Sequence, residues 1–228
     1  MAGISVDAKA NLKVAKKLFK KVDFNLLSKA VIAQNTSSSS KHGGDCLEIA
    51  MIVAGFLQRL GIDAKVEIGE AVWRVEGNHD GAVISHIVTP DVVTLLDSEF
   101  DESIARPYHA WVKLNAHWYL DSTTYQIKMK MARLDKADGL NTPVTWCPDF
   151  LLFNQGQVST YDDVAKSYKS GVIYYNTDCA CKSEILSTIQ KDNLDFGPDI
   201  NSLVAIYNGI KSGELDVVCG QFGGVQVS

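Results

Sequence analysis

The sequence has no run approaching the ~18 uninterrupted apolar residues of a membrane span, and no basic start followed by an apolar stretch. These absences predict a cytosolic chain without a membrane span, with export by a signal-less route left open. Positive charge is not in excess: 22 Lys and Arg stand against 27 Asp and Glu, a formal net charge of -5. The lysines of "AKKLFKK" recur at helical spacing and read as a solvated helix face, so no nucleic-acid partner is expected. Five cysteines spread over 228 residues make no small disulfide framework, and free thiols are the default. Cys147, Cys179, Cys181 and Cys219 lack the paired spacing of a structural zinc site, because "CAC" has one intervening residue and the other two stand alone. A glycine-rich phosphate loop, a dinucleotide fingerprint and "HExxH" are all missing, so neither metal nor cofactor is expected. Internal repeats and a clear linker are missing too.

What is present is enough apolar residue, 46%, for a sizeable core, since a chain of this length can bury roughly 70% of its unfolded surface. Helical periodicity runs through residues 6 to 33, with a break near Asp23, and "NTSSSSKHGG" follows as a loop. A second helix is expected from Asp45 to "LGID", apolar around most of its circumference and therefore a core helix. "AKVEIGEAVWRVE" and "GAVISHIV" alternate as neighbouring strands, and "YHAWVKLNAHWYLDST" reads as a hairpin. Further on, Thr160 and Asp163 form a capping-box pattern, "GVIYY" looks like a short strand, and "SEILSTIQKD" and "DINSLVAIYNGIKSG" look helical. The expectation is one α+β domain over residues 1 to 228 with a C-terminal helical extension over about 126 to 228.

Cys46 stands in "GGDC" immediately before the apolar helix. Unpaired N–H groups and the positive dipole end favour a thiolate there, Asp45 is a plausible cap, and Gly44 leaves room for a substrate backbone. A lone cysteine of this kind is also compatible with a buried, inert thiol. The discriminating feature is a histidine oriented by a carboxylate. A two-residue turn at Asn115 and Ala116 would set Val112 against Tyr119 and His109 against Ser122. A three-residue loop of Leu114, Asn115 and Ala116 sets Val112 against Trp118, Ala110 against Leu120 and His109 against Asp121. Apolar matching selects the second register, with Trp111 and Tyr119 beside the pair on the His109 face; Gly44 and Trp111 are the substrate-cleft candidates. His117 falls at the hairpin tip, His42 and His79 in loops, and His86 in a strand reads as a satisfied core histidine. Gln34 or Asn35, at the end of the first helix, are candidates for a side-chain oxyanion donor beside the Cys46 N–H.

"GDCLEIAMIVAGFLQRLGIDAKVEIGEA" followed by "YHAWVKLNAHWYLDST" resembles the transglutaminase-like superfamily, papain-like enzymes with a Cys, His, Asp triad; the resemblance covers about residues 40 to 125. It implies Cys46 as nucleophile, His109 as general base and acid, and Asp121 as orienting carboxylate. The "HAWV" segment is also similar to leader peptidases that mature lasso peptides, a subgroup of the same superfamily. The catalytic core would span about 30 to 125, with an insertion over about 72 to 108. The activity implied is hydrolysis of an amide or peptide bond in a peptide or protein substrate through a thioester. Transfer to an amine, with deamidation as its hydrolytic side reaction, is the alternative, and a papain-like binding module without turnover the second.

Overall fold

The computed structural model describes residues 18, 20–37, 46–79, 81–87, 108–115, 117–178, 182–183, 195–219 and 225–227. Five helices and an antiparallel sheet make up these residues, a mixed α and β architecture. A helical segment around Leu18 stops at Val22 and Asp23, where the Asp23 carboxylate accepts from the N–H groups of Asn25 and Leu26. That cap begins α1, Phe24–Ser37. Helix α2, Cys46–Arg59, buries nine of its residues from Cys46 to Leu57, as its near-continuous apolar pattern requires. It ends at Gly61, whose φ of 67° is a left-handed stop that a side chain would disfavour.

The long strand β1, Ala64–Arg74, organises the sheet. Its first six residues pair with β3, His109–Leu114; its last residues lie between β2, Val83–His86, and β6, Ile173–Asn176. Beyond β3 come β4, Trp118–Asp121, and β5, Leu151–Asn154, all antiparallel. Helix α3, Ile127–Asp138, follows a 3-10 turn at Thr124–Gln126. Helix α4, Tyr161–Lys166, starts with the expected capping box, the Thr160 hydroxyl accepting from Asp163 N–H while the Asp163 carboxylate accepts from Thr160. Helix α5, Gly197–Ser212, and a hairpin of β7, Val217–Cys219, with β8, Val225–Val227, complete the described elements.

Two apolar clusters lie among these elements. One joins α1, α2 and α5 to Ala110, Val112, Leu114 and Leu120, the even-numbered residues of β3 and β4. The other gathers Trp73, Ile84, Ile127, Phe153 and Ile173. Strand alternation therefore sends His109, Trp111, Tyr119 and Asp121 to the face opposite Ala110, Val112 and Leu120.

Three expectations need correction. The hairpin pairs Val112 with Leu120 and Leu114 with Trp118, so its loop is Asn115 to His117 and the register is two residues from the expected one. Asn115 adopts φ 53°, which an asparagine tolerates and which closes the three-residue loop. The stretch from 126 onward carries helices α3, α4 and α5 but is not helical alone: it also supplies β5 and β6 to the main sheet, and Leu203 and Tyr207 of α5 to the core around α2. The start of the expected insertion is likewise part of the sheet, since β1 runs to Arg74 and β2 pairs along it; residues 88 to 107 lie outside the described residues. Arg74, buried at the end of β1, donates to the carbonyls of Ala165, Gly77 and His79 and so ties the β1–β2 turn to α4.

Candidate active site

The site forms where the first turn of α2 meets the start of β3. Cys46 is the first residue of α2, at the positive end of the helix dipole. Its thiol donates to the carbonyl of Tyr108, 4.0 Å away and one residue before β3. Cys46 is 4% exposed, and His109 and Asp121 are fully buried.

His109 Nε2 lies 2.8 Å from Asp121 Oδ2. The register explains how they meet: the two-residue shift keeps both side chains on the same face, and the pair is diagonal across the hairpin rather than directly opposite. Diagonal neighbours are within reach of long side chains. Asp121 is held from every side. Its Oδ1 accepts from the backbone N–H of Thr123 at 2.9 Å and from the Thr123 hydroxyl at 2.7 Å, a local turn that fixes the carboxylate rotamer. Its Oδ2 accepts from the Tyr175 hydroxyl at 2.7 Å as well as from His109. Trp73 Nε1 in turn donates to Tyr175 Oη at 2.8 Å.

Burial opposes charge on Asp121, but His109 and the hydrogen bonds outweigh it and hold the carboxyl well below the usual range. The carboxylate is therefore ionised and can only accept, so His109 Nε2 carries a proton. Burial also opposes charge on His109; the Asp121 carboxylate and then the Cys46 thiol outweigh it, and the imidazole pKa is raised. Nδ1 of His109 has no hydrogen bond of ordinary length, and Cys46 is the ionisable group besides Asp121 that acts on this ring. Burial first, then the charge of Asp121, push the Tyr175 hydroxyl far above the tyrosine range, so it stays a neutral donor.

Aromatic rings enclose the imidazole. Trp73 meets it edge-on at 4.8 Å between centroids, Trp111 stacks at 6.0 Å, and Tyr175 packs against Trp111. Trp111 is buried, so its ring is a wall behind His109 and not an open cleft surface. His86 is half-buried with its ring 5.4 Å from that of His109; it belongs to this site and not to a separate core position. His117 is exposed at the hairpin tip as expected, and His79 lies in the β1–β2 turn. Gln34, the oxyanion candidate, directs its side-chain N–H to the carbonyl of Asp199 on α5, and Asn35 donates to the Tyr125 hydroxyl. Gly44, Asp45, His42, Cys179 and Cys181 lie outside the described residues. Cys147 directs its thiol to the carbonyls of Thr124 and Tyr125. Among the described residues no three His, Cys, Asp or Glu side chains converge on a metal position, and no helix is long and apolar enough to cross a membrane.

Sequence reasoning reached Cys46, His109 and Asp121 but missed Tyr175, Trp73 and Thr123. Thr123 carried a signal, since an aspartate two residues before a threonine at a strand end is a local turn pattern. Tyr175 and Trp73 carried none, because only the pairing of β6 with β1 brings them near Asp121.

No family model matches the chain, and no curated protein matches it. The chain is similar to the crystal structure of a genomics target, with 12% sequence identity, 91% of each chain covered and a TM-score of 0.50. At that identity the likeness speaks to the fold alone.

Proposed function

We propose that the protein is a thiol-dependent hydrolase of amide or peptide bonds, with a papain-like, transglutaminase-like site of Cys46, His109 and Asp121. The observation that carries the reading is the buried His109–Asp121 bond of 2.8 Å beside a cysteine that opens an apolar helix. Asp121 fixes the ring so that Nε2 is committed and Nδ1 is left for the thiol. Transfer of the thiol proton to Nδ1 gives a thiolate at a helix N-terminus and an imidazolium beside a carboxylate, each stabilised where it stands.

The thiolate attacks the carbonyl carbon, and the Cys46 backbone N–H donates to the developing oxyanion. As the tetrahedral intermediate collapses, the C–N bond breaks and Nδ1–H of His109 protonates the departing nitrogen. His109, now neutral at Nδ1, takes a proton from water as it attacks the thioester; the C–S bond breaks and the thiol is restored. An amine in place of water would use the same three residues and yield transfer.

The test is alkylation by iodoacetamide from pH 4 to 9. Cys46 is expected to react well below the pH at which a free thiol ionises, and His109→Ala to abolish that acidic reactivity while the protein still melts cooperatively. If Cys46 reacts no faster than the protein's other thiols and is indifferent to His109→Ala, the site is not a nucleophile and a binding module without turnover is the better reading.

A further inference from the structure

Three rings follow one another along β1, and the imidazole of His109 is the middle one. On the strands that pair with β1, His86 stands opposite Ala71, His109 opposite Gly69 and Trp111 opposite Glu67. These β1 positions are two residues apart, so the three side chains leave the sheet on one face. The ring of His86 is 5.4 Å from that of His109 with 38° between their planes, and the ring of Trp111 is 6.0 Å away at 24°. Trp73 closes a third side, its indole edge-on to His86 at 5.5 Å and to His109 at 4.8 Å. Trp73 and Trp111 are buried, whereas His86, the last residue of β2, is half-buried. The triad assigns work to Cys46 and Asp121 around this ring but none to His86.

We infer that His86 is a positioning residue: its ring and that of Trp111 are the walls that hold the His109 imidazole in the plane where Nε2 meets Asp121 and Nδ1 is left for the thiol. The inference rests on Cys46 being the nucleophile proposed above. An imidazole turns about its Cβ–Cγ bond in a broad well, so one hydrogen bond at Nε2 sets the tilt of the ring loosely. Flat neighbours remove that freedom. The separations here fall within the about 4.5–7 Å at which aromatic rings pack in offset or tilted pairs. A π-face also attracts the positive charge that His109 acquires from the thiol, which an aliphatic wall does not.

The test is the rate at which iodoacetamide alkylates Cys46, read by mass spectrometry at pH 6 and at pH 9.5. At pH 6 the thiolate depends on an aligned His109 to take the thiol proton; at pH 9.5, above the ordinary cysteine pKa of about 8.5, the thiol ionises unaided. His86→Ala should slow labelling about tenfold at pH 6, the order of loss when a proton acceptor is no longer held in line, and leave the rate at pH 9.5 within about twofold of the wild type. His86→Phe, which returns a flat ring without the nitrogens, should recover most of the pH 6 rate. The low-field proton resonance of His109 Nε2–H should be sharp in the wild type and His86→Phe and broadened in His86→Ala; an equally sharp resonance in His86→Ala overturns the inference. A pH 6 rate unchanged by His86→Ala also overturns it and leaves the nucleophile reading intact. So does an equal fall at both pH values, which would mean that His86 holds the fold around Cys46 and not the orientation of one ring. If His86→Phe is as slow at pH 6 as His86→Ala, the nitrogens of His86 act and not its face, and the positioning role fails. A wild type whose Cys46 labels no faster at pH 6 than the other thiols overturns the two readings together.

Discussion

The residues that make Asp121 useful are those that keep it ionised while it is buried. A carboxylate shut away from water is stable only if its lone pairs are answered, and here four donors answer them: Thr123 twice, His109 and Tyr175. Tyr175 is the one that neither forms part of the triad nor sits next to Asp121 in the chain, so Tyr175→Phe isolates its contribution. A hydrogen bond to a charged group is worth about 1.5–3 kcal/mol, and the variant should lose about 2 kcal/mol of unfolding free energy near pH 6. The pH dependence follows from the depressed Asp121 pKa. A carboxylate whose folded pKa is lowered contributes stability that is present above its unfolded value, about 4, and is lost as the pH falls through the folded value. The deficit of Tyr175→Phe should therefore be full at pH 6 and smaller at pH 3. Urea denaturation at both values checks it; a deficit independent of pH would mean that Tyr175 matters for packing against Phe153, 4.4 Å away between centroids, and not for the charge. On a working amide substrate the same variant should lower kcat and leave KM nearly unchanged.

At the level of elements, the strands act as positioning devices, and the closest tolerance is between β1 and β6. Gly69 is paired with His109 on β3, and a methyl group added to it would run into the backbone carbonyl of Asn176, next to Tyr175. Backbone cannot swing aside as a side-chain tip can, so Gly69→Ala should push β6 away and take the Tyr175 hydroxyl out of reach of Asp121. The expected cost is about 1–3 kcal/mol of stability. Acid-pH labelling of Cys46 should also slow; unchanged labelling in a destabilised protein would show that β6 does not position the site. The elements also mark how far the sequence could be read. Helix α2, β1 and the hairpin were legible because their apolar periods are strong and local. The hairpin register was not, since Val112 with Leu120 and Leu114 with Trp118 match as well as the pairs expected. The error was even, and an even slip keeps every side chain on its face, so the meeting of His109 with Asp121 survived as a diagonal contact. A slip of one residue would have sent them to opposite faces.

For the molecule as a whole, the motif-bearing stretch and the folding unit are not the same thing. Residues 40 to 125 carry Cys46, His109 and Asp121, and their local patterns were enough to single out these three as the proposed triad. The rest of the site was illegible because it depends on pairing across a long sequence separation: Tyr175 lies 54 positions along the chain from Asp121, and Lys130 meets Trp73 only once α3 has crossed to the second cluster. The later half is also structural. β5 continues the sheet beyond β4, β6 pairs with β1, and Leu203 and Tyr207 of α5 fill the core against which Phe56 of α2 packs. A chain cut after residue 125 would expose the outer edge of β4, the Trp73 and Ile84 cluster, and one side of α2 together. Each fully buried aliphatic or aromatic side chain left in water costs about 1.5–3 kcal/mol, and the few kilocalories by which a domain is stable cannot absorb several such losses. A fragment of residues 1 to 125 should therefore show no cooperative thermal transition by circular dichroism and bind a hydrophobic dye, and its Cys46 should alkylate at the rate of an unfolded thiol. A fragment that melts cooperatively and keeps acid-pH reactivity would mean that the triad is held by the first half alone, and that β5, β6 and α5 are an addition to a core already complete.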